Sequence, residues 1–338
     1  VQLPSNAGYR DQYQNLGQTT NQGLEISLNA NLIQKKDAYL DFGFNISFNK
    51  NKVDALYGAN QDVMILSAGG TSVGSDNYRI FVGQEVGLMY GYIYDGLYDF
   101  DDFTFNKETQ RWDLNEGVVD CSGVLSLSGN YYGPGHMKLK DLNGDGKIDR
   151  GNNRVGDSGD KKVIGNTTPR YNFNLNLSGS WKGFDLRLFF QGTMKRDVWL
   201  DSPVFWGYKT GIWWANLNDY IIDNSWSETN TNAYYPIPTW SDRSKQTQTK
   251  YLQNGAFIRL KDVTLSYTIP KALINKYGIG QLKVFVSGQN LWEATGLYKY
   301  LDPDAVGRRD NNGNLKVDDN GSVYPFTRSY SFGINVTF

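Results

Sequence analysis

Seven stretches of the chain alternate apolar and polar residues with the period of two that marks a half-buried β-strand. Leu24, Ile26, Leu28, Ala30 and Leu32 alternate with Glu25, Ser27, Asn29 and Asn31. Leu40, Phe42, Phe44, Ile46 and Phe48 alternate with Asp41, Gly43, Asn45 and Ser47. The pattern returns over 171–181, 184–191, 263–269, 281–287 and 329–338. A soluble β-sandwich also alternates. Here, however, the polar positions are mostly Asn, Ser, Thr and Gly, where a solvent-facing sheet usually carries Lys and Glu. The stretches also match the roughly 9–11 residues of a tilted membrane-spanning strand better than the usual 5–6. An apolar outside and a weakly charged polar inside is the pattern of an outer-membrane barrel with a wet or plugged lumen.

The connections alternate strictly in length. Gln34–Asp37, Lys182-Gly183 and 270–280 are short, the last with Pro270 and a helical turn expected through Ala272–Tyr277. The connections 52–168, 199–253 and 294–323 are long. Bacterial barrels place short turns in the periplasm and long loops outside. On that assignment all seven strands agree in direction, and Phe338 lies in the periplasm. The first and last strands then run the same way, and an antiparallel bacterial barrel needs an even number of strands. Open edges are too costly to persist in lipid. The expected fold is therefore all-β: an antiparallel transmembrane β-barrel, present as an incomplete C-terminal set of about seven wall strands with long extracellular loops. Earlier strands are expected upstream of Val1, in keeping with the missing signal-peptide pattern at Val1-Gln2-Leu3-Pro4.

Composition supports strands over helices. The 338 residues include 23 Tyr, 17 Phe, 9 Trp and 37 Gly, with hydrophobic residues at 39%. So many aromatics argue against disorder. Lys+Arg total 34 against 35 Asp+Glu, so no basic excess exists to neutralise nucleic-acid phosphates. One cysteine, Cys121, and one histidine, His136, exclude an internal disulfide, a zinc cluster and any two-histidine site. No apolar run approaches the roughly 18 residues of a spanning helix.

Several motifs, in order, resemble the SusC/RagA-type TonB-dependent transporters. They are Asn21-Gln-Gly-Leu-Glu-Ile-Ser-Leu28, Val82-Gly-Gln-Glu-Val86 with Tyr90-Gly-Tyr-Ile-Tyr-Asp-Gly96, and Lys140-Asp-Leu-Asn-Gly-Asp-Gly-Lys-Ile-Asp149. Val163-Ile-Gly-Asn166, Trp181-Lys-Gly-Phe-Asp185 and Phe189-Phe-Gln-Gly192 follow. Ser287-Gly-Gln-Asn-Leu291, Leu301-Asp-Pro-Asp304 and the closing Tyr324–Phe338 complete the set. The resemblance spans essentially all of 1–338, and it implies the C-terminal part of a 22-stranded barrel whose N-terminal plug and TonB-contacting segment lie outside this chain. It further implies a SusD-like lipoprotein lid, TonB-energised import of oligosaccharides or peptides, and residence in the bacterial outer membrane. The remaining barrel and plug segment and the membrane lipid are then partners. A receptor or adhesin without transport, and a secreted carbohydrate-binding β-sandwich, are the alternatives. A plug and a TonB box upstream would favour transport, and detergent-free solubility would favour the sandwich.

Four groups of residues are candidates for chemistry. Asp141, Asn143, Asp145, the Lys147 carbonyl and Asp149 follow the first part of an EF-hand-type loop, with Gly146 at the sharp turn. Such a loop would take a structural Ca2+. Position 12 is Asn152 instead of a bidentate acid, with Asp157 or Asp160 as substitutes, and an Asn/Gly turn without metal explains the same residues. The aromatic segment 199–253 offers Trp206, Trp213, Trp214, Trp226 and Trp240 as ligand or lid contacts. Its rings equally supply the core that a loop of this length needs in order to fold. A helix is expected within Gly211–Asn224, and Tyr90–Tyr98 reads as an extracellular hairpin. Glu25, Asp41, Asp185 and Arg187 point into the lumen, either toward plug and ligand or into pairs with one another. Tyr330, Phe332 and Phe338 resemble the signal read by the outer-membrane assembly machinery. No catalytic constellation is present: Cys121 lacks nearby basic residues and His136 lacks a partner nucleophile.

Overall fold

The computed structural model describes residues 17–56, 63–65, 79–125, 132–151, 157–200, 203–206, 219–238, 246–306 and 324–338. They cluster in two compact units. One is built from Gly23–Asn49, Asn166–Phe205 and Leu252–Phe338, and the other mainly from Lys50–Gly165 and Trp206–Tyr251.

The first unit holds most of one seven-stranded sheet, of which the strand ends 17–22 and 50–56 fall in the other unit. Its strands are β1 (Gly17–Lys35), β2 (Ala38–Leu56), β3 (Tyr171–Trp181), β4 (Phe184–Met194), β5 (Phe257–Thr268), β6 (Gln281–Thr295) and β7 (Ser329–Thr337). They lie side by side in chain order, with β1 and β7 at the two edges. The sheet is open, an incomplete barrel. All seven expected strands are present. β1 and β2 are longer than the alternation indicated, at 19 residues each. At about 3.3 Å per residue they reach roughly 60 Å, about twice the hydrocarbon thickness. Alternation fades over 17–22 and 50–56. The turn after β5 contains helical turns at Lys271–Ile274 and Asn275–Tyr277, as expected.

Register keeps the two faces apart. Across β2 and β3, Phe48, Ile46, Phe44 and Phe42 oppose Tyr171, Phe173, Leu175 and Leu177, while Ser47, Asn45 and Asp41 oppose Asn172, Asn174 and Ser178. A slip of one residue would invert both faces. The apolar face is open: Leu24 is 61% exposed and Phe332 90%. In water such an area would be a liability; against lipid it is the expected surface. The polar face is tied together by side chains. Asn31 donates to Asp41 at 2.8 Å, Asn45 to Ser27 at 2.7 Å, Thr193 to Asn172 at 3.0 Å and Lys283 to Asp185 at 2.7 Å. No described helix is long and apolar enough to cross a membrane.

The second unit has an aromatic core. Tyr92, Tyr98, Trp206, Tyr235 and Tyr251 are fully buried in it. Trp206 meets the Tyr251 ring edge-on at 4.7 Å, and Tyr235 stacks on Tyr251 at 5.9 Å. Gly135, at φ +85°, lets Trp226 close on the backbone where a Cβ would overlap the indole. The hairpin expected over Tyr90–Tyr98 is corrected here. Tyr94–Leu97 pairs with Met137–Leu139, and the Tyr92 N–H donates to the Thr247 carbonyl at 2.9 Å. Long-range burial of Tyr92 and Tyr98 outcompetes local pairing. Within Gly211–Asn224 the described helix is Asp219–Asp223, and 211–218 lie outside the described residues.

Candidate functional site

Among the described residues, a dense charged cluster lies on the polar face of β5 and β6, where the connection to β7 returns. Arg259 on β5 stands opposite Glu293 on β6, and its Nε donates to Glu293 at 2.7 Å. Its Nη2 donates to Asp302 Oδ1 at 2.5 Å. Lys261 Nζ donates to Asp304 at 2.5 Å. The other Asp302 oxygen accepts the Phe326 N–H at 2.9 Å, and the Phe326 ring lies 5.4 Å from the Arg259 guanidinium and 4.8 Å from Lys261. Arg196 holds the same connection from β4's end, donating to the carbonyl of Pro303 at 2.8 Å and to that of Val306. Burial alone would raise the Asp302 carboxyl. The donors from Arg259, Phe326 and Asp304 outweigh it and hold the carboxyl below its ordinary value. An open pocket of about 250 Å³ adjoins the cluster, lined among others by Glu293, Lys299, Tyr300, Phe326 and Arg328.

Two backbone irregularities make this cluster possible. The register of β5 against both neighbours shifts between Leu260 and Asp262, so Lys261 is the extra residue of a bulge. Strict alternation from Asp262 would aim Lys261 at lipid; the bulge turns it toward Asp304 beside Arg259. On β6 the matching irregularity falls in the Ser287–Leu291 motif. Asn290 takes φ +54° and donates to the Thr327 carbonyl at 3.1 Å, while Gly288 leaves the space that Leu291 fills. Two of the recognised motifs, Ser287–Leu291 and Leu301–Asp304, are therefore the two sides of one anchor. Chemically it is a strut, fixing the β6–β7 connection to the inner wall. Sequence reading missed Arg259, Lys261, Glu293 and Asp302, although Asp302 stood inside a quoted motif.

The Asp141–Asp149 loop forms a series of side-chain turns. Asp141 accepts the N–H groups of Gly144 at 2.6 Å and Gly146 at 2.8 Å, which hold its exposed carboxyl below the usual range. Asn143 accepts from Asp145 and Asp145 from Lys147. Asp160, fully buried, closes the loop by accepting the N–H groups of Leu142 and Asp149, each at 2.8 Å. Among the described residues no three His, Cys, Asp or Glu side chains are grouped to hold a metal ion. Asn152 lies outside the described residues.

Of the five tryptophans, Trp206 and Trp226 are 2% and 6% exposed. Their rings are covered by the unit's own core, the alternative role given for this aromatic segment. Trp213, Trp214 and Trp240 lie outside the described residues. Of the lumen charges, Glu25 accepts from Asn45 at 3.1 Å, Asp41 from Asn31 and Asp185 from Lys283. The structure adds Lys250, half-buried among the rings of Tyr94, Tyr234 and Tyr251 and bonded to the Tyr94 hydroxyl at 2.8 Å. Burial lowers its ammonium pKa and pushes the Tyr94 hydroxyl up to about 12. Tyr330, Phe332 and Phe338 lie exposed along the edge strand and its end.

No protein-family model matches the chain. It is 32% identical over 338 residues to TonB-dependent receptor P3 of Formosa agariphila, covering 99% of this chain and 30% of that relative. It is 23% identical over 341 residues to TonB-dependent receptor SusC of Bacteroides thetaiotaomicron, covering 100% of this chain and 28% of the relative. Among solved structures, the RagAB peptide transporter superposes with a TM-score of 0.65 at 22% identity, over 100% of this chain and 31% of that one. The RagAB peptide importer in its closed-closed state gives 0.65 at 24%, over 100% and 32%. The chain thus spans less than a third of the length of these relatives, and the structural likeness speaks for the fold.

Proposed function

We propose that the chain belongs with the SusC/RagA-type TonB-dependent transporters, as its likeness to TonB-dependent receptors supports, and that it forms wall and loops of an outer-membrane nutrient importer. The observation that supports this best is the seven-stranded sheet itself, apolar and open on one face, hydrogen-bonded and polar on the other. Such a sheet needs lipid on one side and a protein- or water-filled lumen on the other. The imported nutrient is an oligosaccharide or a peptide. Neighbouring structures described as peptide transporters support a peptide. The burial of Trp206 and Trp226 removes two of the rings that supported glycan stacking.

In this reading TonB supplies energy through a plug outside this chain, and a SusD-like lipoprotein covers the long-loop end. The relatives are named as receptors and transporters, and in this reading the protein acts by binding and passage. The test is uptake of labelled oligosaccharide and peptide pools by cells carrying the full-length gene, with and without functional TonB. TonB-dependent depletion of one pool supports the proposal. Surface binding with no TonB-dependent uptake of either would make the protein a receptor.

A further inference from the structure

We infer that the short-turn rim of the sheet is a binding surface for the phosphate headgroups of anionic phospholipid. This rests on the barrel reading and goes beyond it by assigning a lipid class to one rim. The rim is continuous. Backbone bonds join Lys182 to Asp37 at 3.0 Å, Thr268 to Gly183 at 2.8 Å, Ile269 to Leu282 at 2.8 Å and Gly280 to Thr337 at 2.7 Å. It is also one-sided in charge. Lys35, Lys36, Lys182, Lys271 and Lys276 stand there against Asp37 and the carboxylate at Phe338, while Asp185 is taken by Lys283. Near the other end of β5, by contrast, Arg259 and Lys261 are matched by Glu293, Asp302 and Asp304.

Two turns repeat one arrangement, an ammonium beside an exposed aromatic ring. Lys182 Nζ lies 5.0 Å from the Trp181 ring, and Trp181 is 60% exposed on the apolar face. Lys276 Nζ lies 4.8 Å from the Tyr277 ring, itself 67% exposed. An amphipathic ring with a cation at its edge suits the boundary between hydrocarbon and headgroup. Lys182 and Gly183 take φ +48° and +88°, the left-handed pair of a two-residue hairpin turn that favours Asn-Gly. Anionic headgroups attract surface lysines, and zwitterionic ones do not offer the same net charge.

The test uses the full-length transporter in nanodiscs of phosphatidylcholine alone or mixed with phosphatidylglycerol. Native mass spectrometry counts retained lipids, and heat-modifiable migration gives the unfolding midpoint. The wild type should retain phosphatidylglycerol several-fold over phosphatidylcholine and unfold at a higher temperature in the mixture. The triple variant Lys36→Gln/Lys182→Gln/Lys276→Gln should lose both preferences while matching the wild-type midpoint in phosphatidylcholine. A variant that keeps the preference, or a wild type without one, overturns the lipid assignment. Should the variant fail to insert, raised salt on the wild type decides: retention must fall with ionic strength, and salt-independent retention overturns the proposal. Failure of the wild type to insert in either bilayer would instead count against the barrel.

Discussion

The Arg259 guanidinium and the Asp302 carboxylate meet at 2.5 Å across 43 residues of sequence. Both are nearly excluded from solvent, with side-chain exposures of 4% and 6%. A charge in that position is tolerable only with its partner in place. Replacing Asp302 by Ala leaves Arg259 with Glu293 and a more distant Asp304, and also strips the acceptor from the Phe326 N–H. Removing one member of a buried pair costs about 3–5 kcal/mol, and the surviving Glu293 contact places this case near the lower bound. The connection 297–328 should become cleavable by added protease on intact cells, while the amount of assembled barrel stays near normal. A protease pattern identical to wild type would show that the strut does not hold the connection.

The same carboxylate gives a pH dependence. Its folded pKa is depressed below the unfolded value of about 3.9. Its contribution is therefore complete at neutral pH and above the unfolded pKa, and it is lost as pH falls through the folded value. Between pH 7 and 5 the connection should show constant protection. Protection should begin to fall below about pH 4, and in Asp302→Asn that acid-dependent step should be absent. Hydrogen exchange of the Phe326 amide is the direct readout, and loss of protection already near pH 6 would contradict the assignment.

Much of the wall was legible in the sequence because one physical constraint acts on every residue of it. Each strand carries an open apolar face on one side and polar, hydrogen-bonded groups on the other, so period-two alternation survives in every strand from Leu24 to Phe338. The strut was not legible. In Arg259-Leu-Lys-Asp262 nothing local says that a residue is inserted, and only the cross-strand partners show that Lys261 shares a side with Arg259. The aromatic loops were read with the right composition and the wrong pairing. Tyr94 and Leu97 find Leu139 and Met137, some forty residues away, and that choice depends on a core no short window contains. The same holds for Trp206 and Trp226, whose burial follows from tertiary packing.

The buried Asp160 holds the 141–149 loop shut through two backbone N–H groups. Asp160→Ala would remove both hydrogen bonds, at about 1 kcal/mol each because Leu142 and Asp149 are exposed and water can replace the acceptor, and should expose 141–161 to proteolysis. Calcium in this loop is a separate proposal, resting on the spacing of Asp141, Asn143, Asp145, Lys147 and Asp149. If an ion binds, millimolar calcium should slow cleavage of the loop and chelation should reverse the effect, in wild type and in Asp160→Ala alike. Identical digestion with calcium and with chelator removes the ion and leaves the Asp160 cap as the loop's support.

Strand direction can be read by labelling. The only cysteine, Cys121, is fully buried, so background should be low. Lys182→Cys lies in a short turn, and Tyr300→Cys lies in a long connection where Tyr300 is 51% exposed. On intact cells a membrane-impermeant thiol reagent should reach the second and not the first. After the outer membrane is opened, both should react. Reaction of Lys182→Cys on intact cells would reverse the assignment of short turns to the periplasm.

The last strand separates lipid from lumen most sharply. Tyr330, Phe332, Ile334 and Val336 pair with Gly288, Val286, Val284 and Leu282 on the apolar face, while Ser331 pairs with Ser287 on the other. An Arg on the lipid face of a barrel costs about 2–4 kcal/mol near the bilayer midplane and little in the lumen. Phe332→Arg should therefore cut the amount of assembled barrel strongly, and Ser331→Arg, one residue away, should leave it near normal. A soluble sandwich predicts nearly the reverse, since Phe332 is 90% exposed and an Arg there would be harmless in water. Phe338, equally exposed at the end of the chain, gives the assembly arm of the same experiment. Phe338→Asp should lower assembled abundance without changing the heat-modifiable migration of the molecules that do assemble. Equal abundance for Phe332→Arg and Ser331→Arg would mean that the apolar face does not meet lipid, and the barrel reading would fall with it.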